Sequence, residues 1–90
     1  MASYELIFKE SVVRILRTIP NVDVARILEC IETLRHDPRP IGCEKLSGKE
    51  KYRVRQGGYR VIYEIRDADL VICIVKAGYR SSVYRTDRHA

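Results

Sequence analysis

Two adjacent glycines, Gly57 and Gly58, interrupt a stretch that otherwise alternates apolar with charged or polar side chains, KYRVRQGGYRVIYEI over residues 51–65. A two-residue loop of this kind reads as a tight hairpin, and glycine at both positions predicts a type I′ turn. The loop length also fixes the register. Gln56 is expected to face Tyr59, Arg55 to face Arg60, Val54 to face Val61, Arg53 to face Ile62 and Tyr52 to face Tyr63. One face then carries Tyr52, Val54, Val61 and Tyr63 and suits a core. The other carries Arg53, Arg55 and Arg60. Like charges directly opposite on a sheet are destabilising, by about 1 kcal/mol for two unit charges ~4 Å apart even at the dielectric of water. That cost predicts an anion that relieves it in use, and it predicts that replacing Arg60 leaves the fold no weaker. The plain structural alternative is that the guanidiniums splay into water or lean on an acid such as Glu64, which itself has Lys51 as a candidate partner.

The rest of the chain supplies a scaffold for that hairpin. Residues 4–8 read as a short strand. Val12, Ile15, Leu16 and Ile19 fall at helical spacing up to Pro20, which ends the helix. Asn21 is the expected N-cap of a second helix, with Val24, Ile27, Leu28, Ile31 and Leu34 as its apolar stripe. Arg35 and His36 close it, and Asp37-Pro38 stops it. So short a connection predicts a helical hairpin. Residues 38–50, rich in Pro, Gly and charge, read as a loop. Strands are expected at 51–56, 59–66 and 69–77, with Gly78 ending the last. The order β-α-α-β-β-β predicts an α+β fold, a mainly antiparallel sheet with the helical hairpin on one face. Ninety residues suit a single domain spanning 1–90.

Charge is distributed unevenly along this scaffold. Residues 1–50 hold eight basic and eight acidic side chains, whereas residues 51–90 hold nine basic and four acidic, so the net +5 belongs to the second part. A polyanion that contacts the C-terminal part is the expected partner. No apolar run is long enough to span a bilayer, and the charged N-terminus lacks the h-region of a secretory signal. Three cysteines without C-x-x-C spacing argue against a disulfide framework or a cysteine zinc site and fit a reducing, cytoplasmic setting. Beyond the third hairpin strand, Arg80 and Tyr84 are placed to extend the arginine face. Arginine forks for phosphate oxygens, with tyrosines for bases to stack on, are the ingredients of an RNA site.

Taken in order, LRHDPRPIGCEKLSG (34–48), YRVRQGGYRVIYEI (52–65), LVICIVKAGYR (70–80) and VYR (83–85) resemble the RelE-type toxins of the RelE/ParE superfamily, found in bacterial and archaeal toxin–antitoxin pairs. The resemblance covers nearly the whole chain. It implies a βααβββ fold and a ribosome-dependent mRNA endonuclease that cuts message in the ribosomal A site. The ribose 2′-OH attacks the adjacent phosphate and leaves a cyclic phosphate, with no metal and no cofactor. A cognate antitoxin, the ribosome and mRNA are the implied partners, with no membrane. The implied catalytic set is Arg53, Arg55, Arg60, Arg80 and Tyr84, and the implied RNA contacts are Lys51, Arg53, Arg55, Lys76, Tyr79 and Arg85.

Two departures bear on mechanism. Well-studied members carry lysines where this chain has Arg53 and Arg55, and an arginine stays charged above pH 12. These two therefore suit charge stabilisation better than proton transfer, which leaves Tyr84, or less favourably Glu64, to accept the 2′-OH proton. Many relatives also have His where this chain has Tyr79, so two-histidine ribonuclease chemistry is not expected. Two other readings stay open at this level: a ParE-like inhibitor of DNA gyrase on the same fold, and a non-catalytic basic module that binds RNA or only an antitoxin.

Overall fold

The computed structural model describes residues 3–46 and 50–79. Arg80, Tyr84 and Arg85 lie outside the described residues. The chain runs β1 (Glu5–Phe8), α1 (Glu10–Leu16), α2 (Asn21–Thr33), β2 (Glu44–Leu46), β3 (Lys51–Gln56), β4 (Tyr59–Arg66), a 3₁₀ turn (Asp67–Asp69) and β5 (Val71–Tyr79). The strands form one sheet in the order β1-β5-β4-β3-β2. β1 joins β5 in parallel, and the pairings of β2 with β3, β3 with β4 and β4 with β5 are antiparallel. The α+β expectation holds, with the helices on one face.

The hairpin register is the expected one at every pair from Gln56–Tyr59 to Tyr52–Tyr63, and it extends to Lys51–Glu64. The turn differs in type. Positive φ occurs at Gly57 (60°) and not at Gly58, the pattern of a type II′ turn, which needs the left-handed region only at its first central residue. Gly58 is instead constrained by space, since a Cβ there would meet the Tyr79 ring at 3.0 Å.

Three boundaries also move. Pro20, not Asn21, occupies the N-cap position of α2, and its carbonyl accepts from the Asp23 and Val24 amides. The segment expected to be loop throughout 38–50 contains β2, whose three residues pair with Leu46 opposite Lys51 and Glu44 opposite Arg53. Gly78 does not end the last strand, which runs on to Tyr79.

Tyr52, Val54, Val61, Tyr63, Ile65, Ile72, Ile74 and Ala77 face the helices and pack with Val12, Ile27, Ile31 and Leu34. Periodicity explains this layer: one side of each strand and the i, i+4 stripe of α2 turn toward each other. α1 lies against β5 and α2 against β3. The Tyr63 hydroxyl, carried into the core by its ring, donates to the Pro38 carbonyl at 2.7 Å, and burial pushes its pKa up. At the far end of the sheet, Arg39 fastens the segment after α2. Its Nε donates to the Tyr52 hydroxyl (3.0 Å) and its Nη2 to Asp67 (2.8 Å) and Glu50 (3.3 Å). Tyr4 donates to the other oxygen of Asp67 at 2.6 Å, so the residue before β1 is joined through Asp67 to the guanidinium that holds β3 and the 3₁₀ turn.

Candidate nucleic-acid interface

The face of the sheet turned away from the helices has a small apolar centre and a basic surround. Ile62, Cys73 and Val75 pack there with Leu46. Lys51, Arg53 and Arg55 alternate along β3 on this side, and Arg60 lies on β4 directly opposite Arg55. Lys76 joins them through an irregularity. The β4–β5 register steps from Ile62–Lys76 to Tyr63–Ile74, so Val75 is an extra residue on β5. Strict alternation from Ile72 and Ile74 would aim Lys76 at the helices. The bulge turns it to the arginine side instead, a frequent use of bulges.

The arginines differ in exposure. The Arg55 side chain is 60% exposed, that of Arg53 is 15% exposed, and Arg60 is buried at 5%. Arg60 has Gly78, which carries no side chain, as its β5 partner. What lies against the group is a carboxylate. Arg53 Nη2 donates to Glu44 Oε2 at 2.7 Å, and Arg55 Nη2 donates to Glu44 Oε1 at 3.3 Å. The hydrogen bond and charge of Arg53 hold the Glu44 carboxyl below the usual range, and the charges of Arg55 and Arg60 add to this.

Glu44 was not among the residues that sequence reasoning selected. It lies in a segment whose prolines and glycines signalled loop, and a three-residue edge strand has too little alternation to be seen. The acid singled out for pairing with Lys51, Glu64, does so at 3.9 Å. The like-charge pair at Arg55 and Arg60 therefore already has an anion beside it, supplied by the chain.

Of the expected site residues, Lys51, Arg53, Arg55, Arg60 and Lys76 share this face, and Tyr79 does not. Tyr79 pairs with Tyr59 on the helix side of β4, where the two rings meet edge to face at 5.3 Å between centroids. Tyr59 in turn donates to Asp23 at 2.8 Å, which raises its pKa. Both tyrosines line a groove of about 660 Å³ between α1 and β5, together with Val12, Ile15, Ile19 and Pro20. Among the described residues, β5 beyond Ile74 has no strand on its outer edge, because β1 stops at Phe8 opposite Ile74. No helix among the described residues is long and apolar enough to cross a membrane.

The comparisons agree on the family. The family model described as "ParE toxin of type II toxin-antitoxin system, parDE" matches residues 4–84. A curated relative, "Putative toxin RelE1" of Methanocaldococcus jannaschii, is 33% identical over 78 residues, covering 82% of this chain and 87% of its own. Among solved structures, the archaeal RelE–RelB complex of Pyrococcus horikoshii matches with a TM-score of 0.79 and 34% identity, over 87% of this chain and 96% of the other. The isolated RelE toxin of E. coli shares the fold at a TM-score of 0.76 and 20% identity, over 98% and 100% of the two chains. With a family model spanning nearly its whole length and a curated relative one-third identical, this chain belongs to the RelE/ParE superfamily of type II toxin–antitoxin toxins.

Proposed function

We propose that this toxin is a ribosome-dependent mRNA endonuclease that inhibits translation in the cytoplasm, acting as a single domain over residues 1–90. The observation that carries the reading is the convergence of Arg53 and Arg55 on one pair of carboxylate oxygens, with Arg60 beside them. Two guanidiniums that already hold two oxygens of one anion are arranged to hold two oxygens of a phosphodiester.

In this mechanism the 2′-oxygen attacks the adjacent phosphorus, and the bond to the 5′-oxygen breaks to leave a cyclic phosphate. Negative charge grows on the non-bridging oxygens in the transition state. Arg53, Arg55 and Arg60 stabilise it, an electrostatic contribution that is often the largest in catalysis. None of them is suited to take the 2′-OH proton, because a guanidinium does not give up its own near neutral pH. Tyr84 is assigned that proton, and a water supplies one to the departing 5′-oxygen, whose developing charge Arg80 stabilises. Lys51 and Lys76 bind flanking phosphates, with Arg85 as a further RNA contact. No metal is invoked, since five cationic side chains on one face repel a divalent ion.

An antitoxin partner belongs to the same reading, as the Pyrococcus RelE relative is solved with RelB. The apolar groove beside α1 and the outer edge of β5 offer it a seat, and the arginines offer a counterpart to an acidic segment. Toeprinting of a defined message on purified ribosomes tests the activity. Cuts at the A-site codon are expected with the toxin and absent when the antitoxin is added first.

The ParE name of the matching family model favours a second reading, inhibition of DNA gyrase. Loss of gyrase supercoiling with no A-site cuts would select it.

A further inference from the structure

Glu44 presents two carboxylate oxygens to Arg53 and Arg55. Its two oxygens are divided between Arg53 at 2.7 Å and Arg55 at 3.3 Å, so both forks are already engaged by one bidentate anion. The residue that carries it stands directly opposite Arg53 on β2, a three-residue strand at the edge of the sheet. Its side chain is 47% exposed, which lets the carboxylate swing into water without disturbing the core. Ion pairs between exposed side chains contribute little net free energy, and Arg55 with Glu44 forms such a pair, so that contact is the readily displaced one. A phosphodiester held in place by other contacts brings the same oxygen geometry with the arginines already oriented.

We propose that Glu44 is a resident competitor anion: it holds Arg53 and Arg55 in a phosphate-binding arrangement and must be displaced by an incoming phosphate, and thereby lowers the site's affinity for anions that nothing else positions. This inference rests on reading the arginine face as a phosphate site. It explains how so basic a face avoids being occupied by every free polyanion in the cell. Short RNA and metabolite phosphates compete poorly with an intramolecular carboxylate, whereas a message fixed on the ribosome arrives at high effective concentration.

The test is calorimetric titration of the full chain with inorganic pyrophosphate. Glu44→Gln keeps the shape and one acceptor oxygen and removes the charge. It is expected to tighten pyrophosphate binding by roughly ten-fold, since a like charge no longer opposes the ligand at close range. Glu10→Gln makes the same change in net charge at an exposed α1 pair with Arg14 and is expected to stay within about two-fold of the parent. Glu44→Ser, which removes the charge with a short polar side chain, repeats the gain independently. Affinity unchanged in both Glu44 variants would overturn the proposal. So would weaker binding in melts that show a folded protein, because the carboxylate would then only organise the arginines. The titration does not depend on cleavage. A toxin that gains pyrophosphate affinity but cuts nothing on ribosomes keeps this inference and loses the endonuclease reading; one that cuts but shows no gain loses this inference alone.

Discussion

Arg55 and Arg60 stand directly opposite each other on β3 and β4, yet one side chain is 60% exposed and the other residue is 5% exposed. The pair therefore divides its duties. A change at Arg55 should bear on the proposed phosphate contact alone, and a change at Arg60 on the fold as well.

Arg60→Gln is expected to destabilise the protein by about 1–3 kcal/mol, the usual cost of disturbing a buried, partnered polar group. Urea unfolding measures it. The hairpin taken alone led to the opposite expectation, because it omitted Glu44 and the burial of Arg60. Stability equal to or above that of the parent would restore the simple repulsion argument.

Arg39→Met removes the guanidinium that joins Tyr52, Glu50 and Asp67. The bonds are partly exposed, and Tyr52 keeps its bond to Glu50 at 2.7 Å, so the loss is expected to be moderate, about 1–2 kcal/mol. A thermal melt checks the size. A double-mutant cycle with Asp67→Asn should show coupling between the two positions.

Acid should weaken the fold through three carboxylates. Arg53 depresses the Glu44 pKa, the Tyr52 hydroxyl and then Arg39 depress that of Glu50, and Arg39 depresses that of Asp67. Each group binds fewer protons folded than unfolded. Its stabilisation is thus complete above the unfolded value of about 4 and is lost as pH falls through the folded value. The melting temperature should be level from neutral pH to about pH 5 and fall below about pH 4, less steeply in Asp67→Asn. A melting temperature that rises on acidification would contradict this electrostatic account.

How much of this was legible in the sequence depended on the length of the signal. The register of β3 against β4 followed from Gly57-Gly58, because a two-residue loop leaves one solution. The core followed from the alternation of Tyr52, Val54, Val61 and Tyr63 and from Ile27, Ile31 and Leu34 of the α2 stripe, whose Leu28 is instead exposed. Lys76 was selected as a basic residue, but its face depends on the bulge at Val75, which changes parity without leaving a mark in composition. Glu44 was invisible for a different reason, since its strand is short and its partner Arg53 is nine positions away. Tyr79 was expected among the RNA contacts with the arginines, and the pairing with Tyr59 turns it to the other side.

Free RNA should be a poor substrate. Arginines supply charge stabilisation and no strong base, so the reaction depends on holding the 2′-oxygen in line, a contribution that reaches ~7–11 kcal/mol for well-oriented groups. The same message should be cut far faster on ribosomes than naked, measured by primer extension under matched conditions. Similar rates would place the orienting contacts in the toxin itself.

The central claim is that the arginine face stabilises a reacting phosphate, and Arg55→Gln tests it most directly, because an exposed side chain can be changed with little effect on the core. The single-turnover rate of A-site cleavage on programmed ribosomes should fall roughly 10²-fold, as expected for one lost donor to transition-state charge, while the melting temperature stays within about 2 °C of the parent. An unchanged cleavage rate in a folded Arg55→Gln protein would contradict the account.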